Sequence, residues 1–111
     1  LYIEADGAWR VIAPTAPGPQ AFGTGGDMVM WVSRSEGTKW EVAKVLTHDS
    51  RYNHTYARKP VDAHPDFYTL WADGSPLEPT PSSIYFATKE GRVFRLPGHM
   101  SGATAKPELV P

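Results

Sequence analysis

Apolar and polar residues alternate along short segments of the chain, and turn-forming residues separate these segments. The alternation predicts β-strands over residues 1–4, 8–13, 27–33, 39–47, 55–61, 66–71, 83–87 and 92–96. The stretch 14–26 is rich in proline and glycine and is predicted to be a loop. Few windows of the sequence lack Gly or Pro, so no long helix is expected. The pattern therefore predicts an all-β chain of antiparallel hairpins over residues 1–97, followed by a polar C-terminal tail over 98–111.

Three of the hairpins share one arrangement of residues. Each has an aliphatic or aromatic strand, a turn that ends in glycine, and a second strand that opens near an aromatic residue; the turn glycines are Gly7, Gly37 and Gly91. Their spacing is comparable with the roughly 40–50 residues of one four-stranded propeller blade. We interpret the three glycines as equivalent turns of successive blades. An ordinary antiparallel meander with aromatic-rich strands is the alternative.

Composition removes several classes of partner and chemistry. The 11 Lys and Arg residues balance the 12 Asp and Glu residues, so the chain lacks the basic excess of a nucleic-acid-binding protein. There are no cysteines, which excludes disulfides and thiolate metal sites. No apolar run approaches the roughly 18 residues of a membrane span. We expect no nucleic-acid or membrane partner, no cofactor and, because the histidines are scattered, no metal site.

The middle hairpin contains a recognisable motif over residues 33–40, with the sequence SRSEGTKW. It resembles the Asp-box of sialidase-like propellers, Ser-x-Asp-x-Gly-x-Thr-Trp. Ser33, Gly37 and Trp40 are in register, whereas Ser35 stands at the Asp position and Lys39 at the Thr position. A glycine can adopt the positive φ of a tight turn, and a short oxygen-bearing side chain can cap backbone N–H groups. We therefore predict that this turn forms the fold and does not carry function.

The segments around the motif extend the resemblance. Residues 51–60, 67–74 and 84–97 are similar to the C-terminal part of the BNR-repeat proteins, a family that includes ulvan-lyase-like polysaccharide lyases. The resemblance covers most of residues 1–97 and implies antiparallel blades of a seven-bladed β-propeller, with about two and a half blades in this chain. The remaining blades, or other protein chains, would complete the ring.

The same resemblance implies a function on carbohydrate. We expect a polysaccharide or oligosaccharide partner, uronate-containing sugars included, and a polysaccharide lyase or glycoside-cleaving enzyme in an extracellular or periplasmic setting. The alternative is a non-catalytic propeller module that binds glycans or self-assembles.

Propeller topology selects the residues that could contact a ligand. The loop 48–54 and the loop 73–82 are expected on the face opposite the Asp-box turn, where propeller ligands bind. The predicted substrate-binding residues are His48, Arg51, Asn53 and Asp73.

A second set of residues is predicted to carry out the chemistry. A uronate lyase needs a cation for the carboxylate, and a His or Tyr to move protons. The predicted catalytic residues are His54, Tyr56 and Arg58, because alternate positions of a strand share one face. A purely structural role for the same residues is the alternative.

Overall fold

The computed structural model describes residues 1–111 and contains nine β-strands and no helix. No segment therefore forms a helix that could span a membrane. The strands are β1 (Tyr2–Ile3), β2 (Trp9–Pro14), β3 (Met28–Ser33), β4 (Glu41–Val45), β5 (Asn53–His54), β6 (Thr69–Gly74), β7 (Ile84–Ala87), β8 (Val93–Arg95) and β9 (Glu108–Val110).

The strands form two antiparallel sheets, each of which follows the chain order. Sheet 1 has the order β1-β2-β3-β4 and sheet 2 the order β5-β6-β7-β8-β9. In such a meander, successive connections lie at alternate ends. The connections 15–27, 46–52 and 75–83 lie at one end, called here the cleft end. The connections 4–8, 34–40, 55–68 and 88–92 lie at the other, called here the turn end.

The core lies between the two sheets. Ten buried residues from both sheets form one cluster: Tyr2, Ile12, Met28, Met30, Leu46, Tyr68, Trp71, Tyr85, Ala87 and Val93. The burial pattern alternates along β3 and β6, with Met28, Met30 and Trp71 facing the core. The prediction of an all-β, antiparallel chain is confirmed. Neither sheet closes on itself.

The structure differs from the sequence prediction most at three places. No strand spans 55–61; a short strand ends at His54, and only an isolated bridge from Arg58 to Leu70 follows it. Sheet 2 also extends further than predicted at β6, because Asp73 and Gly74 pair with β5. The C-terminal tail contributes β9, which pairs with β8 and was not predicted.

The interpretation of the three turn glycines as equivalent is wrong. Gly7 lies between the first and second strands of sheet 1, and Gly37 lies between the third and fourth strands of the same sheet. Only Gly37 and Gly91 occupy corresponding turns, since Gly91 joins the third and fourth strands of sheet 2. All three glycines have a positive φ, of 87° at Gly7, 87° at Gly37 and 91° at Gly91. A positive-φ glycine beside an aromatic residue is thus a feature of these hairpins and does not mark a blade repeat.

The Asp-box-like turn is held by its own side chains. The Ser33 hydroxyl oxygen accepts hydrogen bonds from the backbone N–H of Gly37 at 2.9 Å and of Ser35 at 3.3 Å. The Ser35 oxygen accepts one from the N–H of Lys39 at 2.9 Å, and the Trp40 indole N–H donates to the Gly37 carbonyl at 3.0 Å. A serine at the Asp position therefore still caps the turn, which lies at the turn end.

A cluster of tyrosines and charges links the two sheets at the turn end. The Tyr2 and Tyr68 rings stack with centroids 4.1 Å apart, and the Tyr2 hydroxyl donates to the Tyr68 carbonyl at 2.7 Å. The Tyr68 hydroxyl donates to the Glu4 carboxylate, which also pairs with Lys89 at 3.3 Å. The β1–β2 turn is thereby fastened to the β7–β8 turn.

Replacing Tyr68 by phenylalanine should lower the free energy of unfolding by about 2 kcal/mol, because the Glu4 carboxylate loses a charge-assisted hydrogen bond. Urea denaturation measures the change. Tyr56→Phe is the matched control, since the Tyr56 side chain is 58% exposed; its cost should stay within about 0.5 kcal/mol. Equal costs for the two variants would contradict a stabilising role for the Tyr68 hydroxyl.

The face of each sheet that points away from the core is also apolar. We call these the outer faces. On sheet 1, cross-strand pairing places these residues on the outer face: Ile3, Trp9, Val11, Ala13, Val29, Trp31, Val42 and Val45. On sheet 2 they are Leu70, Ala72, Ile84, Phe86, Phe94 and Leu109. An antiparallel sheet with one solvated face alternates apolar and polar residues, so this pattern is typical of sheets that are covered on both sides.

Candidate functional site

A cleft of about 370 Å³ opens at the cleft end, between the loop 46–52 and the β6–β7 connection. Four of the residues selected from the sequence line it: His48, Arg51, His54 and Asp73. The two loops meet there because β4 and β6 both end at the cleft end, so the connections that follow them begin side by side. The cleft lies away from the Asp-box-like turn.

Arg51 supplies an unpaired positive charge to the cleft. No carboxylate lies within salt-bridge distance of its guanidinium, which sits 5.3 Å from the centroid of the Tyr52 ring. The Gln20 amide donates to the Arg51 carbonyl at 3.2 Å and so ties the loop to the connection 15–27. His48 is exposed in the same loop, and its side chain makes no hydrogen bond within the chain. Both groups are therefore available to a ligand.

Asp73 and Tyr85 form a polar part of the cleft floor. The two Asp73 carboxylate oxygens accept hydrogen bonds from the Ser83 backbone N–H at 2.8 Å and from the Tyr85 hydroxyl at 2.9 Å. Burial, reinforced by this hydrogen bond, raises the pKa of Tyr85, so the phenol keeps its proton. The Asp73 carboxylate thus positions the β6–β7 connection and is already partly satisfied.

Arg95 reaches the cleft from β8 and was missed by the sequence analysis. It pairs opposite Tyr85 and forms a 2.9 Å ion pair with Glu108 of β9. The hydrogen bond to the Glu108 carboxylate raises the pKa of Arg95. Strand alternation from the buried Val93 could have placed Arg95 on the cleft side. Its partner could not have been found without β9.

Asn53, which the sequence analysis predicted to bind substrate, does not line the cleft. Its side chain is 1% exposed, and its amide nitrogen donates to the carbonyls of Phe22 at 2.7 Å and Gly23 at 3.1 Å. Its amide oxygen accepts from the Gln20 backbone N–H at 3.0 Å. These bonds occupy both ends of the amide, so Asn53 holds the connection 15–27 in place.

The three residues predicted to be catalytic do not share a face. His54 lies under the cleft, whereas Tyr56 and Arg58 line a separate groove of about 450 Å³ beside Leu70 and Ile84, called here the outer groove. The Arg58 guanidinium lies 4.7 Å from the centroid of the Tyr56 ring. Because the strand ends at His54, the alternation that would have aligned these side chains does not continue.

Both ring nitrogens of His54 are occupied inside the protein. The Trp71 indole N–H donates to His54 Nδ1 at 2.9 Å, and the Ser50 hydroxyl oxygen lies 2.7 Å from Nε2. An Nδ1 that accepts a hydrogen bond leaves the proton of the neutral ring on Nε2, which then donates to Ser50. The Ser50 hydroxyl in turn donates to the Asp27 carboxylate.

The environment of His54 favours the neutral ring. Its side chain is 2% exposed, and burial lowers its pKa, although the nearby Asp73 and Asp27 carboxylates act in the opposite direction. A base must have a free nitrogen within reach of the substrate proton. Both nitrogens of His54 are engaged within the protein, so in this arrangement its ring holds Ser50 and Trp71 together and presents no free nitrogen to the cleft.

A scan against protein-family models, a search of curated proteins and a search of solved structures each found no match to this chain. We therefore infer function from the motif resemblance, the packing of the two sheets and the geometry of the cleft.

Proposed function

We propose that this chain is the C-terminal portion of a BNR-repeat propeller that acts on carbohydrate, as a polysaccharide lyase or a glycoside-cleaving enzyme. The two sheets would be neighbouring blades, since both are antiparallel meanders and they pack face to face. The remaining blades of the ring, or other protein chains, would cover the outer faces. A polymeric substrate favours an extracellular or periplasmic location.

The observation that carries the proposal is the cleft with its unpaired Arg51. Arginine binds a carboxylate through two parallel hydrogen bonds, and a uronic acid presents such a group. The neighbouring Tyr52 and the hydroxyl of Tyr85 offer an aromatic surface and a polar atom of the kinds that bind sugars.

For an elimination reaction, we propose roles for the cleft residues that differ from the roles predicted from the sequence. Neutralising the uronate carboxylate acidifies the adjacent C–H, and a base removes that proton. A C=C bond forms to the next ring carbon as the C–O bond on that carbon breaks, and the leaving oxygen takes a proton from water. Arg51 would neutralise the carboxylate, and His48, whose ring is free, would accept the proton. His54 would support the loop that carries both.

The experiment compares a polyuronate with a neutral polysaccharide of similar length. We expect the ultraviolet absorbance of an unsaturated product from the polyuronate. New reducing ends without that absorbance would indicate hydrolysis instead, the other reaction the proposal includes. If the protein neither binds nor cleaves any polysaccharide, that result would contradict the proposal.

The outer faces favour one alternative, a non-catalytic glycan-binding module that self-assembles. Copies could stack so that the outer face of sheet 1 in one copy covers the outer face of sheet 2 in the next. Saturable saccharide binding without any product would support this alternative over an enzyme.

A further inference from the structure

We propose that neutral His54 is a positioning residue that latches the loop 46–52, and with it one wall of the cleft, and that protonation of its ring releases this loop. The inference concerns the conformation of the loop, so it holds or fails whatever ligand the cleft binds.

The latch is a chain of hydrogen bonds that runs from Asp27 through Ser50 and His54 to Trp71, and Asp27 lies next to the start of β3. The Asp27 carboxylate accepts hydrogen bonds from the hydroxyls of Ser50 and of Thr47, the latter at 2.9 Å. The Thr47 hydroxyl oxygen accepts in turn from the Met28 backbone N–H at 2.9 Å. Two side chains of the loop are therefore fastened to the first residues of β3.

His54 joins this point of attachment to sheet 2. Ser50 lies between Asp27 and His54, and His54 accepts from the Trp71 indole of β6. The His54 ring also packs edge-on against Tyr85, with centroids 5.3 Å apart. One continuous chain of hydrogen bonds thus runs from sheet 1 through the loop to sheet 2.

Protonation would break the chain at one defined bond. A charged imidazole carries a hydrogen on both nitrogens, so Nδ1 would present a donor to the Trp71 N–H, which is also a donor. The ring cannot turn in place, because it is buried and packed on Tyr85 and Trp71. It would have to move away from Trp71, and Ser50 would lose its fixed partner.

Burial and nearby charge change the pKa of His54 in opposite directions. The charged or titratable groups that line the same cleft or contact the latch are Asp27, His48, Asp49, Arg51, Asp73, Tyr85 and Arg95. Asp27 and Asp73 stabilise a charged ring, but burial outweighs them and the pKa of His54 is lowered from 6.5. The open loop binds the proton more readily than the latched loop, so the latch is complete above pH 6.5 and weakens as the pH falls below it.

Hydrogen exchange of the loop amides tests the latch, with intrinsic rates corrected for pH. We expect the opening constant of residues 46–52 to rise by up to about tenfold for each pH unit below 6.5. His54→Gln, which does not titrate, should abolish this pH dependence. His64→Gln, a change at an exposed histidine of the turn end, should leave it intact.

Trp71→Phe is a second variant, to be used if the His54→Gln protein does not fold. It removes the opposing N–H donor, so the latched ring can take up a proton more readily, and loop opening should depend less on pH than in the unmodified chain. Nitrogen chemical shifts of the His54 ring should show the proton on Nε2 at pH 7.5. Loop protection that is equal at pH 7.5 and pH 5.5, or a proton on Nδ1, would overturn the proposal.

Discussion

Replacing Arg51 with alanine should weaken the binding of an anionic saccharide about 100-fold, because a bidentate, charge-assisted contact contributes about 3 kcal/mol. The guanidinium is unpaired and exposed, so its removal should leave the fold unchanged. Isothermal titration calorimetry with an oligouronate measures the affinity, and urea denaturation measures the stability of the same variant.

Two controls separate the cleft from other sites. Arg58→Ala removes the same side chain from the outer groove and should not change the affinity. Ser35→Ala should cost about 1 kcal/mol of stability, the contribution of one turn-capping hydrogen bond, and also leave the affinity unchanged. A loss of binding in Arg58→Ala with none in Arg51→Ala would move the site to the outer groove.

The isolated chain should associate with itself or be poorly soluble, because both outer faces expose contiguous apolar side chains. Ile84 is 49% exposed on the outer face of sheet 2. Ile84→Lys should weaken association about 100-fold, because association would bury an unpaired charge between the copies. Sedimentation across a range of concentrations measures the change.

Val61→Lys is the matched control for this prediction. Val61 is 93% exposed and lies in the connection between β5 and β6, so the variant should associate as the unmodified chain does. A monodisperse monomer of the unmodified chain at every concentration, with a cooperative thermal transition, would show that the outer faces need no partner.

The alternation of apolar and polar residues was sufficient to predict most of the strands. It identified β2, β3, β7 and β8 to within a residue or two, because each strand has one face in the shared core. It failed for residues 55–61, where composition resembles a strand but pairing stops after His54. It also failed for β9, whose three residues form a strand only because β8 offers an open edge.

The same limits apply to the site. Strand order predicted that the loop 48–54 and the loop 73–82 would lie at one end, and both contribute to the cleft. The state of His54 could not be predicted, because it depends on Trp71 and Asp27, which only the packing of the two sheets brings together. The pairing of Arg95 with Glu108 likewise required a strand that local sequence did not indicate.

The most direct test of a carbohydrate site in the cleft is a titration of the isotopically labelled chain with an oligouronate, followed by amide chemical shifts. We predict that the largest changes will occur at Arg51, Tyr52 and Ser83, which line the two walls of the cleft. Changes confined to Tyr56, Arg58 and Ile84 in the outer groove, or no saturable change at any residue, would contradict the assignment.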